Sequence, residues 1–92
     1  MTPQDFFKND LFAERAGIVL MEVREGYSKA RLEIKKEHLN AGNRTQGGAI
    51  FTLADLALAA AANSHGQLAF SLSSNITFLR ASGIGDTLYA EA

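Results

Sequence analysis

The sequence contains no cysteine, no tryptophan and only one proline among its 92 residues. Without cysteine there can be no disulfide bridge, thiolate metal site or cysteine nucleophile, and this composition fits a reducing cytoplasm. Positive and negative charges nearly balance, because the sequence has nine Lys and Arg residues and ten Asp and Glu residues. The lack of a basic patch argues against nucleic acid as the main partner.

The sequence also lacks an apolar run long enough to cross a membrane. The longest, Ala49–Ala62, is interrupted by Thr52 and Asp55. As a helix it would span roughly 21 Å, against a hydrocarbon core of about 30 Å. The polar, acidic start of the chain does not resemble a signal peptide. We therefore expect a soluble, cytoplasmic protein with no membrane partner, folded as a single domain over residues 1–92.

The first third of the chain predicts a short helix followed by a β-hairpin. The helix starts at Thr2-Pro3, where Thr2 can cap it, and breaks near Asn9-Asp10. Apolar and polar residues then alternate from Ile18 to Ile34 around the turn Glu25-Gly26, which is typical of a hairpin with one apolar and one charged face. The residues assigned to the apolar face are Val19, Met21, Val23, Ala30, Leu32 and Ile34.

Residues Gly47 to about Ser64 predict one long helix, since nearly every position in this range holds alanine or another apolar residue. A helix that is apolar on all sides is usually buried, and a chain of 92 residues cannot cover it completely. One face is therefore expected on the sheet and another against a second copy of the chain.

Two further strands are predicted after this helix, which Gly66 is expected to end as a left-handed cap. They are Ala69–Leu79, where apolar and polar residues again alternate, and Thr87–Ala92, which follows the turn 82–86. The complete order of elements indicates an α+β fold with one long helix packed on an antiparallel sheet.

Two glycines, Gly47 and Gly48, stand where the polar loop Lys36–Gln46 becomes the long helix. Backbone N–H groups point outward at a helix start, and the helix dipole adds partial positive charge there. Without side chains, a ligand carbonyl can approach these donors closely, as in an oxyanion hole. Tight packing of the helix start against a strand explains the same glycines, and both interpretations stay open.

Asp55 is the only ionisable residue between Gln46 and Asn63. An unpaired buried carboxylate is costly, so this one is either a hydrogen-bonded structural residue or a working group in a wet cleft. Gly48 and Asp55 share a helix face, but they lie roughly 10.5 Å apart along the axis. Attack on a carbonyl needs about 3–3.5 Å. If both act on one carbonyl, Asp55 must come from a second chain whose helix runs antiparallel about a two-fold axis.

Together these residues resemble the hotdog-fold acyl-CoA thioesterases of the phenylacetic-acid-degradation (PaaI-like) type. The motifs that carry the resemblance are Asn40, Gly47-Gly48, Phe51-Thr52-Leu53-Ala54-Asp55, Asn75-Ile76-Thr77-Phe78-Leu79-Arg80 and Gly85-Asp86-Thr87-Leu88. The resemblance implies a curved antiparallel sheet wrapped around a long central helix, in a homodimer or homotetramer. It also implies hydrolysis of an aryl- or acyl-CoA thioester to free acid and CoA, with CoA as part of the substrate and no separate cofactor.

The resemblance implies catalytic roles for three residues. Asp55 would be the nucleophile or general base, the Gly47 amide would polarise the thioester carbonyl, and Asn40 would position the carbonyl or the attacking water. A serine would assist from across the subunit interface, and Arg80 either meets a CoA phosphate or is solvated. The implied substrate-binding residues are Gln46, Gly48, Ser71 with its rival Ser73, and Arg80.

Two features depart from the family pattern. Gln46 stands where members usually have histidine, and a glutamine amide can donate a hydrogen bond but carries no proton at neutral pH. A non-catalytic module that binds acyl-CoA or an acyl carrier therefore stays open as an alternative to an enzyme. The family also continues for two more strands, so C-terminal strands are expected to be missing from 1–92. Either the chain is part of a longer product, or its last strand presents an open edge.

The two histidines, His38 and His65, carry little functional signal. They lie in a loop and at a helix end, without the spacing of metal ligands, so no metal is expected. Hotdog dehydratases need a catalytic histidine near the helix, and neither residue is suitably placed for that role.

Overall fold

The computed structural model describes residues 2–92, and none of its helices is long and apolar enough to cross a membrane. Three strands form one antiparallel sheet in the order β1-β2-β3. The elements along the chain are α1 (Pro3–Phe7), α2 (Leu11–Ala16), β1 (Val19–Arg24), β2 (Tyr27–Glu33), a 3-10 turn (Lys36–His38), α3 (Gly47–Asn63) and β3 (Thr87–Glu91). The predicted α+β layout, with one long helix on an antiparallel sheet, is confirmed.

The N-terminal helices begin at the caps that the sequence contains. The Asp5 N–H donates to the Thr2 hydroxyl at 3.1 Å, and the Thr2 N–H donates back to the Asp5 carboxylate at 3.3 Å. Hydrogen bonds from Thr2 hold the pKa of Asp5 below its usual value. Asp10 caps α2 by accepting from the Ala13 N–H at 3.1 Å. The predicted break near Asn9-Asp10 is confirmed, because Asp10 starts a separate helix there.

A β-bulge in β1 changes which of its side chains point towards the core. Leu20 and Glu22 pair with successive residues of β2, which leaves Met21 without a partner across the ladder. One extra residue reverses the inside-outside alternation beyond it. Val19 and Met21, predicted on the apolar face, are therefore 44% and 42% exposed, whereas Leu20 and Val23 are half-buried.

The core lies between the inner face of β2 and one face of α3. On β2 the predicted alternation is confirmed, because Ala30, Leu32 and Ile34 are all buried. On α3 the buried positions recur every three or four residues: Leu53, Leu56, Ala57, Ala60 and Ala61. The opposite face, which includes Asp55 and Leu58, is exposed in the single chain. The sheet thus covers one side of the helix, as the size of the chain required.

The strand predicted for Ala69–Leu79 is wrong, since the described residues form no ladder with this segment. A strand needs a partner as well as alternating residues, and the two edges of β2 are taken by β1 and β3. The segment runs past α3 without regular structure. Most of its large apolar side chains are therefore exposed, namely those of Phe70, Leu72, Phe78 and Leu79, and the preceding Leu68 is exposed as well.

The end of α3 also differs from the prediction. Ser64 caps the helix in a right-handed conformation, and its hydroxyl donates to the Ala61 carbonyl at 2.6 Å. Gly66 does adopt a left-handed φ of 81°, but it lies beyond the cap. The Gly26 N–H donates to the Ser64 hydroxyl at 2.7 Å. The helix end is thereby tied to the β1–β2 turn.

A buried serine links the sheet to the middle of α3, and we predict that it stabilises the fold. The Ser28 side chain is fully buried and donates to the Ala57 carbonyl. In Ser28→Ala this hydrogen bond is lost without leaving a buried donor unpaired, so the free energy of unfolding should fall by about 1 kcal/mol. Urea unfolding measures this, with exposed Ser74→Ala as the control. Equal stability of the two variants would contradict the assigned role.

Candidate active site

The loop before α3 is a small hairpin in which Asn40 is the first residue after the bridge. Leu39 and Thr45 form an isolated antiparallel bridge, and the Asn40 N–H donates to the Arg44 carbonyl at 2.7 Å. Asn43 completes the turn with a φ of 60°, a conformation that asparagine tolerates better than most residues. These bonds give Asn40 and the helix start a defined relative position.

The hydrogen bonds of Asn40 leave its donor group available. Its Oδ1 accepts from the Gly42 N–H at 2.9 Å and from the Arg44 N–H at 3.1 Å. Because two donors converge on Oδ1, the orientation of the amide is determined. Among residues 2–92, Nδ2 has no acceptor. Asn40 can therefore offer a ligand a hydrogen-bond donor, and its oxygen is engaged by the loop.

Gly47 combines the two interpretations that its sequence left open. A Cβ atom at Gly47 would lie 3.2 Å from Cζ of Phe78, so the space of a side chain is filled by that ring. The N–H of Gly47, however, meets no acceptor in the part of the chain that the structure describes. The missing side chain thus serves packing, while the amide stays free to bind a carbonyl oxygen.

Gly48 is different, because no neighbour crowds it and its N–H is engaged. A Cβ atom there would meet only Cγ of Gln46, at 3.9 Å. The Gly48 N–H donates to Oε1 of Gln46 at 3.4 Å, a long hydrogen bond with which Gln46 caps α3. A ligand oxygen could take over this donor if the Gln46 side chain rotated away.

Asp55 lies on the exposed face of α3 and lines an open cavity of about 550 Å³. Within residues 2–92 its carboxylate makes no hydrogen bond and no ion pair. Apolar groups form much of the cavity wall: Phe6, Phe7, Leu58, Leu68 and Phe70. Of the two interpretations of Asp55, the single chain therefore favours a solvated carboxylate in a cleft.

Ser71 and Ser73 line the same cavity as Asp55, in the same chain. The family resemblance implied that a serine assists from across an interface, whereas here both candidates line the cavity that the Asp55 of their own chain also lines. Arg80 lies elsewhere, in a separate cavity of about 490 Å³ next to Ile50 and Tyr89. The structure thus places the two serines and Asp55 on one cavity and Arg80 on another.

The helix start and Asp55 are not brought together within one chain. Gly47 and Asp55 belong to the same helix, and a rise of 1.5 Å per residue separates them by roughly 12 Å. No bending of one helix closes such a gap to the roughly 3 Å that a reaction needs. Within one chain, the Gly47 N–H and the Asp55 carboxylate therefore cannot reach the same carbonyl group.

Asn63, which carried no functional signal in the sequence, holds the chain two residues before the first of the two serines. The side chain of Asn63, in the last turn of α3, clamps the backbone of Ala69. Its Nδ2 donates to the Ala69 carbonyl at 3.0 Å, and its Oδ1 accepts from the Ala69 N–H at 2.8 Å. An asparagine at the end of a helix is a common cap, so the sequence offered no signal of this second role.

The polar groups of the described residues do not form a metal site. No cluster of three or more histidine, aspartate or glutamate side chains is found in residues 2–92. Both ring nitrogens of His38 face backbone groups. His65 lies at the far end of α3, with Nδ1 at 3.6 Å from the Glu25 carboxylate.

Comparison with known proteins identifies relatives along most of the chain. Residues 42–92 match the family model of the thioesterase superfamily. Over 86 residues the chain is 49% identical to an Archaeoglobus fulgidus protein provisionally named as an esterase, and 37% identical to acyl-coenzyme A thioesterase PaaI of Escherichia coli. Each match covers 94% of this chain, but only 56% and 61% of the relative.

Solved structures agree with the sequence matches. The structure of E. coli PaaI, from the phenylacetic acid degradation operon, has a TM-score of 0.89 at 36% identity. The match covers 95% of this chain and 63% of that one. A Streptococcus mutans protein bound to acetyl-CoA has a TM-score of 0.76 at 30% identity, with 80% and 60% covered. The chain thus spans less than two thirds of the length of these relatives.

These likenesses identify the arrangement of α3 on its antiparallel sheet as the hotdog fold. The family match begins in the loop of Asn40 and continues through Gly47, Asp55 and β3. It therefore contains both the free amide and the carboxylate that the geometry singles out. The chain belongs to the thioesterase superfamily.

Proposed function

We propose that this chain hydrolyses an acyl-CoA thioester to the free acid and CoA, as a homodimer or a dimer of dimers in the cytoplasm. One observation carries the proposal: α3 presents an unengaged N–H at its start and a solvated carboxylate two turns later, beside an apolar cavity. The name of the E. coli relative and the acetyl-CoA bound by the S. mutans protein support a CoA thioester as substrate.

The cavity beside Asp55 suits the acyl part of such a substrate. Phe6 and Phe7 form an edge-to-face pair with ring centroids 5.1 Å apart, and both line the cavity. Aromatic and aliphatic walls favour an aryl or a medium-length acyl group over a charged one. Arg80, in its separate cavity, is our candidate for a CoA phosphate. No metal or additional cofactor enters this proposal.

The reaction centre in this proposal is shared between two subunits. The Gly47 amide and Asn40 Nδ2 of one chain would receive the carbonyl oxygen, and Asp55 of the other chain would approach its carbon. Two α3 helices that run antiparallel about a two-fold axis satisfy this requirement twice. The exposed face of α3, which includes Leu58, agrees with such a partner.

The chemistry follows from this placement. As general base, Asp55 takes a proton from water while the water oxygen bonds to the carbonyl carbon, and the negative charge on the carbonyl oxygen meets the Gly47 N–H. The carbon–sulfur bond then breaks, and the CoA thiolate receives the proton. As nucleophile, Asp55 would first form a mixed anhydride and expel the CoA thiolate, which takes a proton from solvent, and water would then hydrolyse the anhydride to the free acid and restore the Asp55 carboxylate. Both routes need the same two groups.

Replacement of Asp55 should abolish hydrolysis while the fold is kept. Because the side chain is exposed and makes no hydrogen bond within residues 2–92, Asp55→Asn should melt near the wild-type temperature. Thiol release from a panel of aryl- and acyl-CoAs should fall by about 10²-fold or more, the usual contribution of a general base.

A matched control is available in the same cavity. Asp10 also lines it, but its carboxylate caps α2. Asp10→Asn keeps an equally good cap and removes the same charge, so its activity should stay within about twofold of wild type. Equal thiol release by wild type and Asp55→Asn would refute the role of Asp55.

The shared reaction centre predicts complementation between two inactive variants. Gly47→Pro removes the N–H at the first helical position, where proline is tolerated. Gln46 has the extended ψ of 131° that a residue before proline prefers. We expect kcat to fall about 10²-fold or more, as when an oxyanion-hole donor is lost. Gly47→Ala is the control, because it brings the same Cβ towards Phe78 and keeps the N–H.

Mixing Gly47→Pro with Asp55→Asn should restore activity. Each mixed dimer contains one centre with both residues intact, so random exchange of subunits should return about a quarter of the wild-type rate. The rate is measured after joint refolding of equal amounts. A mixture that stays inactive, although mixed dimers are detected by mass spectrometry, would contradict a centre shared by two subunits.

A binding module without catalysis is the second candidate, and Gln46 favours it. Its Oε1 holds the Gly48 N–H, and its amide cannot transfer a proton. If Gln46 limits an enzyme, Gln46→His should raise thiol release, since imidazole can both orient and carry a proton. If the chain only binds, calorimetry should detect acyl-CoA binding, while neither wild type nor Gln46→His releases thiol.

A further inference from the structure

We infer that His38 is a positioning residue for the carbonyl-binding groups Asn40 and Gly47, and that it acts through a tether to the end of α2. The inference rests on the proposed function. His38 is only 7% exposed and lies outside the cavity of Asp55. A buried polar ring is retained at a cost unless its nitrogens are satisfied, so its contacts indicate what it does.

The two ring nitrogens of His38 have different partners, which determine its tautomer. The Lys35 N–H donates to Nδ1 at 2.9 Å, so Nδ1 carries no proton. Nε2 lies 2.6 Å from the Ala16 carbonyl oxygen and therefore donates to it. This is the neutral ring with its proton on Nε2. Ala16 is the last residue of α2, so its carbonyl accepts no hydrogen bond from within the helix.

The backbone of His38 forms the base of the hairpin that carries the site. Its carbonyl accepts from the Gln46 N–H at 2.7 Å, immediately before Gly47. Asn40 follows two residues after His38, inside the same hairpin. A rotation of His38 would therefore move Asn40 and the start of α3 together. The tether to Ala16 links this base to a separate helix, whereas the bond from Lys35 is local.

The second side of the hairpin is held in a comparable way. Thr45 is buried, its N–H donates to the Ser82 carbonyl at 2.8 Å, and its hydroxyl accepts from the Ser82 hydroxyl at 2.7 Å. His38 and Thr45 thus anchor opposite strands of one small hairpin to different parts of the chain. Without the first anchor, the hairpin could still fold, but its tilt relative to α3 would vary.

Two variants each preserve one of the His38 contacts. In His38→Gln the side-chain amide can still reach the Ala16 carbonyl, whereas in His38→Asn the shorter side chain keeps only an acceptor for the Lys35 N–H. His38→Leu removes both contacts. His65→Gln is the matched control, because the other histidine is exposed and lies at the far end of α3.

The experiment measures steady-state hydrolysis and the NMR signals of the site. We expect kcat to fall about tenfold in His38→Asn and His38→Leu, with KM within about twofold, because misplaced carbonyl donors weaken transition-state binding. His38→Gln should recover at least half of wild-type kcat. The Gln46 amide and the Asn40 side-chain amide should shift or broaden in His38→Asn, and should keep their wild-type positions in His38→Gln and His65→Gln.

The possible results distinguish a positioning role of His38 from an effect on protein stability alone. Folded variants that lose melting temperature and keep wild-type kcat would overturn the inference, as would a His38→Gln variant no more active than His38→Leu. If His38→Leu does not fold, the comparison of His38→Asn with His38→Gln tests the inference. If the wild type hydrolyses no acyl-CoA, the proposed function fails. The NMR signals then decide alone, and unchanged Asn40 and Gln46 amides in His38→Asn would overturn the tether.

Discussion

The burial of only one face of α3 is the constraint on which the rest of the structure depends. The sheet covers Leu53, Ala57 and Ala60, and the small side chains of the two alanines let the helix approach β2 closely. Burial of this apolar stripe fixes the rotation of the helix about its axis. With the rotation fixed, Asp55 must point to the opposite side, into the cavity beside α1. A polar residue on this helix is therefore placed by the apolar residues around it.

The same helix separates hydrogen-bond donors from acceptors along its length. At its start the acceptors are consumed locally, because Asn40 Oδ1 receives two backbone amides and Gln46 Oε1 receives the Gly48 N–H. Within residues 2–92, the groups left without an acceptor there include the Gly47 N–H and Asn40 Nδ2, which are both donors. Two turns later stands a carboxylate, which only accepts when ionised. A carbonyl oxygen suits the first region and a water or an electrophilic carbon suits the second.

The sequence predicted those parts of the fold that depend on local pattern. The bounds of α3 and the buried alternation of Ala30, Leu32 and Ile34 follow from periodicity alone, and both are confirmed. The bulge at Met21 was missed, because an extra residue in a strand leaves the composition of the strand unchanged. Ala69–Leu79 was predicted as a strand on alternation, yet pairing is a property of two segments, and the described residues provide no second one.

At the candidate site, the sequence predicted which residues could be functional, but it did not predict the contacts that hold them in place. That Asp55 and the glycines were functional candidates followed from their contrast with an apolar helix. The clamp of Asn63 on Ala69 and the tether of His38 to Ala16 span six and 22 positions of the chain, and both end on backbone atoms, which carry no residue-specific signal. Such contacts become visible only in three dimensions. In the proposed reaction centre these contacts would orient the reacting groups, which the sequence could name without showing what holds them.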